Sequence, residues 1–581
     1  MFIQIFTKQQ LMKLLQLVSL SIFCALLLST NAKAETFFVT SQQEFNSAQS
    51  SAALNDSIIW RTGTYSDIFM NITKDRLFIA AETLGGTIFT GNSRVDIRSD
   101  HITLQGFQFL DGDIGTSDVI NTRGSFNIFT QINIRAYTSY KYLRVREESQ
   151  FCEITHCNFE NRLNLADQNI LSILVDNTNP GFHKIQFCSF KNFDGGGNDD
   201  GIEPIRIGVS SQADFISRTV VEYCYFTQCN GDGELISSKA RQNVYRFNTF
   251  EDNPRAELVL RHGSENIVYG NFFLSGKGGV RVREGQDQYI YNNYFYDLDD
   301  RPIYLQNDDS DPLDNINIAF NTIIDCEEVR LGGSGSDRPT NVTFANNIFY
   351  DPKDDLFREP TGTETWIGNI AFGDLGIPLP SSGLTVADPQ LEQNSEGFFG
   401  LSENSPAIDA AQAGYEFLPQ FEGIEDIDSE VLFDLMGQNR ALLIAERDLG
   451  SNEFPSEVLI QPIATEENTG PSYNTSSTVT TSLQNTTLVD KELIELNITP
   501  NPISNQLNLT ISSVSKVNIV VDIFNLEGKR ISSIPEQTIL PGKVTLSKKV
   551  DTLPPGLYTV LVTSHDPQAG GQSIQTAKFI K

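Results

Sequence analysis

Short apolar strands recur along the middle of the chain at a long, uneven period. From about Phe151 one pattern returns: H-C-N-F at Cys157, F-C-S-F at Cys188 and Y-C-Y-F at Cys224. It continues as F-N-T-F at Asn248, G-N-F-F at Asn271, N-N-Y-F at Asn293, F-N-T-I at Asn321 and N-N-I-F at Asn347. Successive copies lie 22 to 36 residues apart, and the variation falls between the copies, where loops belong. A short strand motif at such a period is the mark of a solenoid. Strands of about three to five residues, separated by Gly, Asn and Asp turns, predict a parallel β-helix. Stacking places each position above its own copy. The Asn side chains are then expected to form a hydrogen-bonded ladder, with the Phe two residues on packed inside. Cys157, Cys188 and Cys224 stand in the Asn slot and read as small buried fillers.

The pattern changes toward both ends. Thr36 to Asp113 carries a weaker form of it. Ser41 to Ala53 predicts a short helix capping the open end, and IAAETLGGTIFTGNS and ITLQGFQF predict opening coils. After Asn347 the coils fade through ADPQL, SPAIDA and ERDLGSNEF, which ends at Phe454. Residues 456–490 are rich in Thr, Ser and Asn and predict a flexible linker. From Lys491 apolar and polar residues alternate around Gly and Pro turns, which predicts a small antiparallel β-sandwich over 491–581. The fold class expected is all-β: a right-handed parallel β-helix over 35–455, then that sandwich.

Met1 to Ala34 reads as a secretory signal. Lys8 and Lys13 lead an apolar run, Leu14 to Leu28, that ends in Ala32-Lys33-Ala34, an A-x-A cleavage site. The run is short for a membrane span, so an exported chain with no transmembrane segment in its mature form is expected. Cys24 leaves with the signal. Of the six remaining cysteines, Cys152, Cys229 and Cys326 have no assigned place, and a Cys152–Cys157 or Cys224–Cys229 bridge stays open.

The net charge is −32, from 42 Lys and Arg against 74 Asp and Glu. That excludes a nucleic-acid binder. Against this acidic background, Lys239, Arg241, Arg246, Arg255, Arg261, Lys277, Arg281 and Arg283 lie close together in sequence. A basic groove on an acidic body suits an anionic glycan.

The stretch Asn230 to Gly263 carries the candidate chemistry. A chain of uronic acids can be cut without water, by removing the proton beside the carboxylate and expelling the linked sugar. The carboxylate must first be neutralised, and calcium, a hard cation that takes carboxylate ligands, can do that. Asp232 and Glu234 are alternate residues, so on a strand they share a face and can reach one ion. Lys239 can serve as base if burial or nearby cations lower its pKa. Arg261 stays protonated and would steady developing negative charge. His262 can orient groups or shuttle a proton. Residues one repeat apart stand about one coil spacing (~4.8 Å) apart, so Lys239 and Arg261 are expected on adjacent coils of one face.

The order D-G-E-L-I-S-x-K, followed by R-H-G, resembles polysaccharide lyase family 6, which contains alginate lyases and chondroitinase B. The resemblance implies a β-helix lyase in which Lys239 is the base, Arg261 the acid or stabiliser, and Asp232 and Glu234 calcium ligands. Asp232 departs from the family pattern, where Glu is more usual, and it shortens the reach to the ion. A second patch, GGGNDDGIEPIRIG at Gly195 to Gly208, resembles the family's N-G-x-E-x-I-R-I-G segment. It brings Asp200 near a third calcium ligand and matches Glu203 and Arg206. Glu203, Arg206, His262 and Arg283 are the candidate substrate-binding residues. The C-terminal pattern, with Asn501-Pro502, the NLEG turn, PPGLY and a basic last strand, resembles a type IX secretion sorting domain. That implies the type IX machinery as partner and a secreted or outer-membrane-surface location; a carbohydrate-binding module is the alternative.

The function expected is calcium-assisted alginate cleavage by β-elimination. Cleavage of dermatan or another uronate glycan is the runner-up. A glycoside hydrolase would need two carboxylates flanking the bond and would leave Lys239 and Arg261 without a role. A non-catalytic adhesin would bind glycan without turnover.

Overall fold

The structure, a computed structural model, describes residues 34–163, 169–195, 201–306, 313–350, 352–395, 397–455 and 463–473. In the C-terminal region it describes 494–499, 506–513, 516–524, 530–540, 542–550, 557–565 and 572–580. The signal expected at the N-terminus and Asp200 lie outside these residues. The chain divides into two compact units, after Ser477.

The first unit is a solenoid of three long parallel sheets with 14, 12 and 14 strands. Each coil gives one strand to each sheet. Tyr225–Asn230, Glu234–Ser238 and Val244–Arg246 are three successive strands, and Thr249–Asn253, Glu257–Leu260 and Ile267–Tyr269 pair with them in parallel on the next coil.

Stacking explains the repeat. The Phe of each motif lies on its copy in the next coil: Phe159, Phe190, Phe226, Phe250, Phe273 and Phe295 stack with centroids 4.8 to 5.1 Å apart. The Asn slot forms a continuous ladder. Asn248, Asn271, Asn293, Asn321 and Asn347 each donate from Nδ2 to Oδ1 of the following Asn at 2.9 to 3.0 Å, ending on Asn369. Each also donates to a main-chain carbonyl of the coil before, as Asn293 does to Val268 O at 3.0 Å. Buried amides are thus satisfied, which their burial requires. Upstream, Cys157, Cys188 and Cys224 fill the slot, and Cys224 N donates to Asn248 Oδ1 at 3.0 Å. All six described cysteines are buried free thiols, so neither open bridge forms.

Helix α1 (Gln42–Ser51) closes the N-terminal end. Ser41 caps it, its hydroxyl accepting from Glu44 N at 3.3 Å, and it buries Phe45 against Trp60. At the other end, residues 401–449 return along the outside of one 14-stranded sheet and bury Tyr415 against Tyr291 and Phe320. Part of the stretch expected as linker also lies on the solenoid. Glu466 pairs with Lys191 at 2.8 Å, and the Tyr473 hydroxyl donates to Gln131 O at 3.0 Å and Phe107 O at 3.2 Å.

The second unit holds a three-stranded and a four-stranded antiparallel sheet. Leu507, Leu509 and Ile511 of one share a core with Ile519, Val521, Ile523, Val560 and Val562 of the other. No helix among the described residues is long and apolar enough to cross a membrane.

Candidate active site

The site lies on the outer face of the 12-stranded sheet. Five successive strands build it: β1 (Ile205–Ile207), β2 (Glu234–Ser238), β3 (Glu257–Leu260), β4 (Val280–Val282) and β5 (Ile303–Leu305). Alternation along a strand sends every second residue to the core. Ile205, Ile236, Leu258, Val280 and Ile303 form one inward column. The column between the inward ones reads Arg206, Ser237, Val259, Arg281 and Tyr304.

One residue past the strands, the chain leaves the sheet with a conserved geometry of its own making. Lys239 N donates to Ile207 O at 2.8 Å, Arg261 N to Ser238 O at 2.8 Å, and Arg283 N to Leu260 O at 2.9 Å. Lys239, Arg261 and Arg283 therefore occupy equivalent places on three consecutive coils, as the spacing predicts for the first two. Gly263 follows because the next turn runs against Ala240: a Cβ there would lie 2.1 Å from Ala240 O.

The acidic residues sit just before. Glu203, Asp232 and Glu234 are 3%, 9% and 4% exposed. Arg206 grips Glu203 at two oxygens, with contacts from 2.6 to 3.0 Å. Burial pushes the Glu203 carboxyl up, to about 7; Arg206 opposes the rise, and Asp232 and Glu234 add to it. Asp232 accepts from Gly201 N at 2.8 Å and from Glu234 N at 3.0 Å. Glu234 Oε1 takes Arg261 Nη1 at 2.9 Å. Burial favours the neutral form of Glu234, but Arg261, Arg281 and Lys239 outweigh it and hold the carboxyl below its ordinary value.

Lys239 differs from its neighbours. It is half-buried, and no hydrogen bond ties its ammonium to a described residue. Burial lowers its pKa, Arg206 and Arg261 lower it further, and Glu234 and Glu203 counter only part of this. A lysine so placed gives up its proton more readily than a free one. His262 has a left-handed backbone (φ 69°). Its Nδ1 meets Glu284, and its Nε2 lies 3.1 Å from Ser210 Oγ.

The structure thus brings together Lys239, Arg261, Asp232, Glu234, Glu203, Arg206, His262 and Arg283; Asp200 lies outside the described residues. Sequence reasoning missed Glu284 and Glu257. Glu284 follows Arg283 directly and fixes His262. Glu257 pairs with Glu234 across adjacent coils. Its signal is a single charge at the head of the apolar run LVL, four residues before Arg261. Among the described residues, one group has the spacing of a metal site: Glu327, Glu328 and Asp354. Arg330 and Arg358 already pair with Glu328 there.

The fold has solved relatives among polysaccharide lyases. It is similar to PL6 family alginate lyase AlyGC, at 24% identity and TM-score 0.56, over 64% of this chain and 55% of that one. It is similar to a mannuronic acid specific polysaccharide family 6 lyase from human gut microbiota, at 22% identity and TM-score 0.51, over 58% of this chain and 86% of that one. A third is the PL6 family polysaccharide lyase Pedsa3628 from Pseudopedobacter saltans, at 19% and TM-score 0.50, over 59% and 94%. These likenesses establish the shared fold; the matched region spans little more than half the length of AlyGC. No curated protein matches the chain.

The family follows from sequence. Residues 39–372, more than half of the chain, match the profile described as Chondroitinase B. The chain belongs to the chondroitinase B family of polysaccharide lyases. Residues 497–575 match the secretion system C-terminal sorting domain, which marks the chain for export to the secreted or cell-surface space.

Proposed function

We propose that the protein is an exported lyase that cleaves alginate, or a closely related uronate glycan, by β-elimination. One observation carries the reading: Lys239, half-buried and with a lowered pKa, stands one coil from Arg261 on a face rich in guanidinium groups. Lys239 takes the proton beside the uronate carboxylate. Arg261, held at Glu234, steadies the negative charge that develops and stands where the leaving sugar oxygen needs a proton. Arg206, Arg281 and Arg283 receive the carboxylates of the chain. His262, fixed between Glu284 and Ser210, orients the sugar beside Arg261.

Asp232 and Glu234, with Asp200, would hold calcium. Glu234 Oε2 fits this role: it is buried and has no hydrogen-bond partner. Asp232 accepts one amide at each oxygen. When bound, the ion would neutralise the substrate carboxylate.

Alginate is favoured because the solved relatives are described as alginate or mannuronic acid lyases. Dermatan is the second reading, favoured by the family name. A hydrolase needs two carboxylates available to the glycosidic bond. Here Glu203 and Glu234 are buried and gripped by arginines, which argues against that chemistry. We take residues 35–455 as the catalytic solenoid, wound right-handed, 456–490 as the connection and 491–581 as the domain read by the type IX machinery. The signal over 1–34 is removed on export.

The test is to incubate the mature protein with alginate, dermatan sulfate and pectate and follow the ultraviolet absorbance of a new C=C–carboxylate, with and without a calcium chelator. Absorbance growing on alginate and falling with chelator supports the whole reading. New reducing ends without absorbance overturn it in favour of hydrolysis.

A further inference from the structure

Glu257 is the most buried carboxylate near the site, at 1% exposure, and neither of its oxygens has a hydrogen bond. A buried charge without hydrogen bonds is costly unless ion pairs compensate it. Two arginines do so at close range, and the charge of Lys277 adds to them. Arg281 Nε lies 3.2 Å from Oε2, and Arg301 Nη2 lies 3.9 Å from Oε1. The packing leaves the carboxylate a fixed place, because a Cβ on Gly278 would come within 2.7 Å of Oε1. Arg281 also reaches Glu234, with Nη2 3.7 Å from the oxygen that Arg261 holds at 2.9 Å. Arg301 is held from other sides by Asp300, at 2.6 Å, and by the face of Tyr304, 4.1 Å from its Cζ. Arg261, Arg281 and Arg301 therefore lie on successive coils, each anchored by a carboxylate.

We propose that Glu257 is a positioning residue: it draws Arg281 into the closer of its two ion pairs, keeps it from closing fully onto Glu234 and, with Asp300, aims Arg281 and Arg301 at the groove as a pair that binds a second substrate carboxylate, on the far side of Arg261 from Lys239. This rests on the lyase reading above. Coil spacing (~4.8 Å) is on the order of one sugar unit in an extended chain, so a carboxylate beyond the reacting uronate falls near this pair. Without the charge of Glu257, Arg281 moves onto Glu234. It then competes with Arg261 and leaves the second carboxylate unmet.

The test compares the full protein with its Glu257→Gln and Arg281→Gln variants on alginate, together with calorimetric binding of an alginate hexasaccharide in the inactive Lys239→Ala background. Glu257→Gln is expected to raise KM about tenfold, which corresponds to about 1.4 kcal/mol, with kcat within a factor of about three. Hexasaccharide affinity falls by the same factor. Arg281→Gln gives the same change, and the double variant is no worse than either single one; Glu257→Asp recovers part of the loss. An unchanged KM with only a lowered Tm overturns the proposal, because the residue is then merely structural. So does a fall in kcat at constant KM. If Lys239→Ala itself fails to bind the hexasaccharide, the uronate reading fails, and this inference with it; binding that is equal with and without Glu257 sinks the inference alone.

Discussion

The interior columns of the solenoid and the outer face of its 12-stranded sheet run along the same coils and follow opposite rules. Inside, one residue type repeats: five asparagines donate in turn to the next, and six phenylalanines lie face to face. Outside, almost nothing repeats: Arg206 is followed by Ser237, Val259, Arg281 and Tyr304. A stack rewards identity, because each amide finds in its copy the partner it needs. A site rewards difference, because a base, a stabilising cation and their counter-charges must meet within a few coils. Where a β-helix stops repeating on a sheet that still pairs in register, chemistry is the reason to look for.

The comparison makes a sharp demand. Changes outside should remove activity and leave stability; changes inside should do the reverse. Second only to the loss of Lys239, a large effect is expected for Arg261→Ala, which removes charge stabilisation worth about 10²–10³ in kcat; because it also strips the buried Glu234 of its nearest cation, the loss is read as kcat of the folded fraction. Asn293→Leu is the interior counterpart. It breaks the ladder at a fully buried amide: the main-chain N of Asn271 loses its Oδ1 acceptor, and Asn321 Oδ1 loses one of its donors. A buried group left unsatisfied costs about 1–3 kcal/mol, measurable by urea unfolding, while kcat/KM of the folded fraction stays at the parent value. A smaller interior loss, about 0.5–1.5 kcal/mol for aromatic contact beyond burial, is expected for Phe273→Leu, which interrupts the stack between Phe250 and Phe295.

The subtlest test is a pH profile. Burial, Arg206 and Arg261 lower the Lys239 pKa, and a base must be neutral to act. The rate therefore climbs as pH rises through that lowered pKa. Arg206→Gln removes one of the lowering charges, which raises the Lys239 pKa. The ascending limb of kcat/KM is expected to move to higher pH. A limb that stays in place would mean that another group titrates there.

Much of this was legible in the sequence. The N-x-F recurrence carries the interior columns because each copy must match its neighbours to stack. The pairing of Lys239 with Arg261 follows from one repeat of separation. Ser41 announces α1 because a hydroxyl before a helix satisfies a free amide. What escaped depends on contacts between coils whose connecting loops vary in length. Glu257 meets Arg281 and Arg301 only once the loops after each strand are placed, and nothing in their spacing reveals that. Residues 463–473 read as linker by composition, yet Tyr473 finds two main-chain carbonyls more than 300 residues away in sequence. The turns themselves also hide from propensity. Phe126, Phe151 and Phe182 take left-handed backbones (φ 50° to 58°) that single residues of this type avoid, and their rings stack at 4.9 to 5.0 Å.

The central claim is that Lys239 is the base. It is tested most directly by the rate of unsaturated product formation from alginate by the Lys239→Ala variant, measured alone and with an added small primary amine. The account predicts a loss of about 10²–10⁴ with an unaltered thermal transition, and partial return of activity that grows with amine concentration and with pH. A variant that keeps the parent rate would contradict it, since the proton would then leave to some other group.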